Sequence, residues 1–228
     1  GWHGLAMAKT YLEAARLQSG PLCRTHDGHP HVPMPTVVLM DSAHSVGGTW
    51  AAERLYPGLK TNNVVGSYEF SDFPLDLARY ALKPGEHIPG PVVHRYLNDC
   101  AHHFELSHLI RLQTRVVAAA LRRGCGWLVD YCATSDAGQQ RGQLVASRLV
   151  LATGLTSTPN IPSFPGQHAF RGTIFHARDL AQHTAALASA RSVVVVGGNK
   201  SAWDACYASC EAGARVHMVM RPCGGGPS

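Results

Sequence analysis

The stretch Ser192–Cys206, "SVVVVGGNKSAWDAC", constrains the fold more than any other part of the sequence. An apolar run of four valines meets a glycine pair and then a helix-forming segment. Unbroken valines do not alternate between core and solvent, so this strand is expected to be covered on both faces, as in a parallel sheet. A strand–glycine turn–helix presents backbone N–H groups and a helix N-terminus to a phosphate. The segment runs on through "YASCEAGA" into a second apolar strand, "RVHMVM", and reaches Arg221. In the Gly-x-Gly-x-x-Gly pattern Gly197 is the first glycine. Gly198, Lys200 and Ser201 fill the turn. Asn199 stands where the second glycine belongs, and Ala202 is a small residue at the third. An Asn tolerates a left-handed backbone better than most residues. Arg221 ends the next strand, where a cation pairs with a 2′-phosphate and favours NADP over NAD; a solvated strand-end arginine is the alternative.

The chain begins with a second piece of this kind, "GWHGLAMAKTYLEAA". Gly1 and Gly4 fit the second and third glycines of the pattern, and the first glycine with its strand would precede residue 1. A helix that merely has glycine at its start fits these residues equally well. Residues 4–18 are rich in helix formers. "TVVLMD" (36–41) reads as a buried strand ending in Asp41, an acid placed to accept hydrogen bonds from a ribose. The 37 residues from Gly4 to Asp41 exceed the usual spacing of about 20, and the Pro/His-rich loop at 19–35 absorbs the excess.

Between these pieces, "PVVHRYLNDCAHHFEL" (91–106) reads as a helix with Pro91 in its first turn. "LIRLQTRVVAAAL", "GWLVDYCATS" and "LVASRLVLATG" read as strands joined by Gly and polar turns. The last of these is continuous enough to return to a buried parallel sheet. "PNIPSFPG" (159–166) marks a domain boundary.

With 228 residues, 45% hydrophobic and 15% charged, the composition is that of a globular α/β chain. A net charge of +5 without a dense Lys/Arg run argues against a nucleic-acid or membrane role. No apolar run reaches the length of a membrane span, and no secretory signal is visible. The seven cysteines lack Cys-x-x-Cys spacing and read as reduced thiols of a cytoplasmic protein. His26, His29 and His31 could suggest a metal, but they sit in a loop without the helices or strands that position ligands, so no metal site is expected. Cys206 and Cys210 lie one helical turn apart and read as helix packing. His102 and His103 read as a solvated helix end.

Taken together, these ordered motifs resemble the flavin-containing monooxygenase superfamily, particularly its fungal branch. The longest match is "VVLMDSAHSVGGTWAAERLYPGLKTNNVVGSYEFSDFPLD", with an acid, a Gly-Gly-x-Trp loop, a "TN" pair and a "DFP". "LVLATGLTSTPNIP", "FRGTIFHARDL", "GGNKSAWDA" and "RPCGGGP" extend it along the chain. The resemblance implies an α/β fold of two Rossmann-type, doubly wound parallel-sheet domains, with an antiparallel β-meander in the first. Residues 1–165 would bind FAD and 166–228 would begin the NADPH domain. Both domains would be incomplete, as in an N-terminal fragment that is inactive by itself. It implies a monooxygenase that inserts one atom of O₂ into a small organic substrate through a flavin hydroperoxide. A Baeyer–Villiger or N-hydroxylating relative is the alternative within the class, and a non-catalytic dinucleotide-binding remnant the alternative outside it. A disulfide reductase is disfavoured by the missing Cys-x-x-Cys.

The resemblance also assigns residues. Asn62 matches the asparagine near flavin and bound NADP, where an uncharged amide can donate and accept without titrating; a turn Asn in "TNN" is the alternative. Gly47, Gly48, Thr49 and Trp50 match the loop that passes the FAD. His176 matches the identifying motif and is expected to be structural. Leu180-Ala181 departs from the aromatic and Pro or Lys usual there, and supports neither subtype.

Overall fold

The structure is a computed structural model and describes residues 1–19, 34–135, 138–155 and 158–220. The chain is a mixed α/β fold with parallel and antiparallel pairing. It divides into two compact units, one of residues 1–52 and 94–154, the other of 53–93 and 155–228.

In the first unit, α1 (Trp2–Ser19) starts two residues before the segment expected from composition and buries Leu5, Ala8 and Ala15. β1 is short, Leu39–Met40, and runs parallel to β4, Ile110–Arg111. The expected strand at 36–41 is therefore realised only at its end. Residues 36–38 alternate between exposed and half-buried and have no ladder partner among the described residues. Past Met40, Asp41 N–H donates to the Arg111 carbonyl (3.0 Å) and its own carbonyl accepts from Thr114 N–H (2.8 Å), which closes the pairing.

Strands β5 (Thr114–Arg122), β6 (Gly126–Ser135) and β7 (Gly138–Ala146) form the antiparallel meander that the resemblance implies, with its third strand at 138–146 and not at 144–154. The β5–β6 turn needs Gly126: its φ is +85°, and a Cβ there would stand 2.5 Å from the Ala146 carbonyl oxygen. After β7 the chain does not return to a sheet. Residues 149–154 form no strand, and Leu151 is 78% exposed. The apolar pattern of "LVLATG" thus reports composition rather than a ladder.

In the second unit, β2 (Lys60–Val64) pairs antiparallel with β3 (His87–Pro89), with a register shift inside β2. The short α2 (Leu77–Tyr80) is capped by Asp76, whose carboxylate accepts from Ala78 and Arg79 N–H. α3 (Gly90–His103) begins in this unit, and from His94 on it belongs to the first; Val93, Tyr96, Leu97, Cys100 and Ala101 are all buried. That i, i+3, i+4, i+7, i+8 spacing is the core stripe of an amphipathic helix. Its last turn leaves His102 and His103 exposed.

Near the C-terminus, α4 (Thr184–Ser189) leads into β8 (Ser192–Val196), α5 (Lys200–Glu211) and β9 (Arg215–Val219). β8 and β9 are parallel and in register from Ser192–Arg215 to Val196–Val219, with α5 as the crossover between them. The strand–helix–strand reading holds; the expectation that both faces of the valine strand are covered does not. Val193 and Val195 are half-buried while Val194 and Val196 are 61% and 59% exposed. The physical reason is that these two strands form the whole of their sheet among the described residues, and α5 packs against it.

Candidate functional site

Each unit gathers its own set of nucleotide-type features. In the first, Gly1 precedes α1, and the Gly1 carbonyl accepts from Leu5 N–H (3.2 Å), the first bond of that helix. The N–H groups of the first turn have no intrahelical partner, and no acidic side chain stands in that turn. Gly4 faces Leu39 of β1 and Ala152, each 3.9 Å from where a Cβ would be. That close helix–strand approach is the role of the third glycine in the pattern. Asp41 lies at the end of β1 with its Oδ2 4.0 Å from the Gly1 nitrogen, while its Oδ1 accepts from Ala43 N–H (3.0 Å). Gly48 also closes on this point: its φ is +64°, and a Cβ on it would stand 3.0 Å from the Gly1 Cα. The structure therefore brings Gly1, Gly4, Asp41 and Gly48 together. Three of the four carry no side chain, so the backbone lies open to close approach beside a single carboxylate.

Thr49 and Trp50 continue this loop as a 3₁₀ turn, Gly48–Trp50. His94 on α3 anchors it, with Nδ1 donating to the Trp50 carbonyl (3.0 Å). Asn98, one turn along, donates from Nδ2 to the His94 carbonyl (2.8 Å). Neither residue was expected from the sequence. The i, i+4 pair in "HRYLN" was the available signal, but its target lies 44 residues upstream. Because one neutral hydrogen bond contributes about 1 kcal/mol, His94→Ala is expected to lower stability by about that amount. Urea unfolding would measure it, and an unchanged midpoint would remove His94 from the loop's support.

In the second unit, Gly197 has a φ of +150°, with its N–H donating to the Val219 carbonyl (2.9 Å). A Cβ there would come within 3.2 Å of the Ala202 Cβ, so glycine and alanine are matched across the turn. Gly198 is buried. Asn199 is the N-cap of α5 with extended backbone (φ −105°, ψ 179°), so the left-handed tolerance of Asn is not used. Its carbonyl accepts from Ala202 and Trp203 N–H (2.8 and 3.2 Å). The first-turn N–H groups, at Lys200 and Ser201, have no partner within the helix, and no acidic residue stands there. This turn fits a phosphate as the first one does. Arg221 lies outside the described residues, as do His26, His29 and His31.

Asn62 is exposed on β2, in the second unit. Its neighbour Thr61 is buried and fixes the strand: the Thr61 hydroxyl accepts from Ile88 N–H (2.9 Å) and donates to the Asn63 carbonyl (2.6 Å). His176 caps the 3₁₀ turn Ala177–His183, its Nδ1 accepting from Arg178 N–H (3.1 Å). On α5, burial, and then Cys210, push the Cys206 thiol pKa up. The five described cysteines are all free, and no group of three metal-ligating side chains occurs among the described residues.

A family model for pyridine nucleotide-disulphide oxidoreductases matches residues 77–224, more than half of the chain. The chain belongs to that family. Within it, the resemblance to flavin-dependent monooxygenases read from the sequence holds across the whole chain. The FAD-dependent monooxygenase resA of Aspergillus sclerotiorum is 39% identical over 232 residues, covering 100% of this chain and 37% of that protein. Cyclohexanone monooxygenase from Rhodococcus sp. Phi1, solved bound to NADP⁺, is 28% identical with a TM-score of 0.62, over 81% of this chain and 33% of that one. Tmm from Pelagibacter sp. strain HTCC7211, at 20% identity and a TM-score of 0.74, shares the fold over 94% of this chain and 48% of its own. The chain thus spans little more than a third of the length of the curated relative it matches. No helix among the described residues is long and apolar enough to cross a membrane.

Proposed function

We propose that this chain forms the nucleotide-binding part of an FAD- and NADPH-dependent monooxygenase that inserts one oxygen atom from O₂ into a small organic substrate. The observation that carries the reading is the presence of two glycine turns at helix N-termini, one beside an acid-ended strand and one within a parallel βαβ unit. The whole-chain likeness to FAD-dependent monooxygenases and the likeness to an NADP⁺-bound enzyme support it.

In this reading both turns belong to Rossmann-type domains, residues 1–165 for FAD and 166–228 for NADPH. The backbone N–H groups behind Gly1 and Gly4 hold the FAD diphosphate. Asp41 accepts from its ribose, and Gly48, Thr49 and Trp50 line its passage. Gly197, Gly198, Asn199, Lys200, Ser201 and Ala202 form the NADPH turn, and Arg221 selects the 2′-phosphate. When bound, FAD supplies the oxygen chemistry and NADPH the hydride. Asn62 contributes an amide that orients a reacting group through hydrogen bonds and cannot exchange a proton with it. Small-molecule substrate and O₂ are then the partners, with no nucleic acid involved, and the free thiols support a cytoplasmic location.

Flavin content tests this reading. The full-length protein is expected to purify with FAD near one per chain, released intact on denaturation. A protein without flavin that also fails to take up added FAD would contradict it.

A further inference from the structure

In the second unit, three side chains meet beside the glycine turn. Lys200, the first residue of α5, donates from Nζ to Asp204 Oδ2, one turn further along the helix. The same Oδ2 accepts from the Tyr56 hydroxyl at 2.5 Å, across 148 residues of sequence. Asp204 is only 15% exposed and Lys200 34%. Burial, and then the hydrogen bond and charge of Asp204, raise the pKa of the Tyr56 phenol well above its ordinary value, so it stays a donor. The pairing draws the Lys200 ammonium along α5 toward Asp204, away from the N-terminal end where the orphan N–H groups are. A side chain in this place in a phosphate turn would otherwise be free to reach the ligand.

We propose that Asp204, fixed by Tyr56, holds Lys200 back from the nucleotide turn, so that backbone N–H groups alone bind the phosphate and Asp204 sets the affinity. The proposal rests on the reading of this turn as the NADPH site. It makes Asp204 and Tyr56 positioning residues. It also removes Lys200 from direct contact with the nucleotide, although its place in the motif suggests contact. The functional consequence is a loosely held nucleotide, because a carboxylate stands next to the anion site and cancels the nearest cation.

The test is a calorimetric titration of NADPH into the full chain and its variants at low salt and at about 0.5 M salt. Asp204→Asn keeps an oxygen to accept from Tyr56 and frees Lys200. It is expected to bind NADPH about tenfold more tightly at low salt, the size expected for a charge-assisted phosphate contact. The gain should fall away at high salt, where exposed charges are screened. The double variant Asp204→Asn/Lys200→Met, which removes the released cation, should lose most of that gain. Damage to the fold would loosen binding, so the sign separates a positioning role from a structural one. Unchanged or weaker binding by Asp204→Asn would overturn the proposal. A double variant that binds as tightly as Asp204→Asn, so that the gain does not run through Lys200, would do the same. If the parent chain binds no NADPH, the reading of the turn itself fails and the proposal with it; if it binds and the variants break this pattern, only the proposal fails.

Discussion

Gly47→Ala is expected to lower stability by about 2–6 kcal/mol and to empty the flavin site. Gly47 has φ +146° and ψ −23°, a backbone region closed to L-residues. An added Cβ would stand 2.6 Å from the Trp50 carbonyl carbon and 2.7 Å from both the Trp50 oxygen and the Ala51 nitrogen. All three are backbone atoms of the turn that Gly47 itself closes, since its carbonyl accepts from Trp50 N–H (3.2 Å). None can rotate away as a side-chain end would. The strained conformation costs about 1–3 kcal/mol and the forced backbone shift a further ~1–3 kcal/mol. The sum is a large part of the ~5–15 kcal/mol that holds a domain together. The loop next to it, Gly48, is the one that touches Gly1, so the shift is felt at the first nucleotide turn. Gly58→Ala is the control: its φ is +79°, but nothing lies within 4 Å of the new Cβ. Urea unfolding and flavin content together measure both variants. A Gly47→Ala protein with the parent midpoint and full flavin would show that the loop tolerates the shift.

Asn62→Ala is expected to leave the fold and the flavin intact while cutting product formed per NADPH about tenfold, equivalent to ~1.4 kcal/mol at the reacting step. The missing product should reappear as hydrogen peroxide. The fold survives because the side-chain bond that ties β2 to β3, from Ile88 N–H to the Thr61 hydroxyl, does not involve the exposed Asn62. Surface substitutions away from such bonds usually change stability by less than about 0.5 kcal/mol. Peroxide and product are counted against NADPH consumed. Unaltered coupling would take Asn62 out of the proposed chemistry.

Elements set by local pattern were legible in the sequence. The helix α3, the strands β5 and β6 and the strand–glycine–helix–strand at 192–219 follow from local composition and turn residues, while the meander's third strand, β7, was not read there. The valine run was misread in one respect. Its parallel pairing with β9 was expected, but hydrophobicity does not count how many strands flank it, and Val194 and Val196 stand exposed. The strand at 36–41 shrank to two residues for a related reason, since a ladder extends only where a partner runs beside it.

What the sequence hid are the anchors between distant segments. Tyr56 and Asp204 belong to no common motif, nor do Trp50 and His94. Each pair becomes visible only when folding closes the loop between its members. The glycines of both turns were legible because a missing side chain is itself a local requirement, and Gly4 and Gly197 face the contacts that such a requirement implies.

The central claim is that the two turns serve a flavin and a nicotinamide nucleotide that together reduce oxygen. Oxygen uptake by the full-length, flavin-loaded protein on addition of NADPH tests this most directly. The account predicts flavin reduction by NADPH in preference to NADH, followed by oxygen consumption mole for mole with NADPH oxidised. Flavin reduction whose electrons pass to a disulfide, with no oxygen consumed, would contradict it.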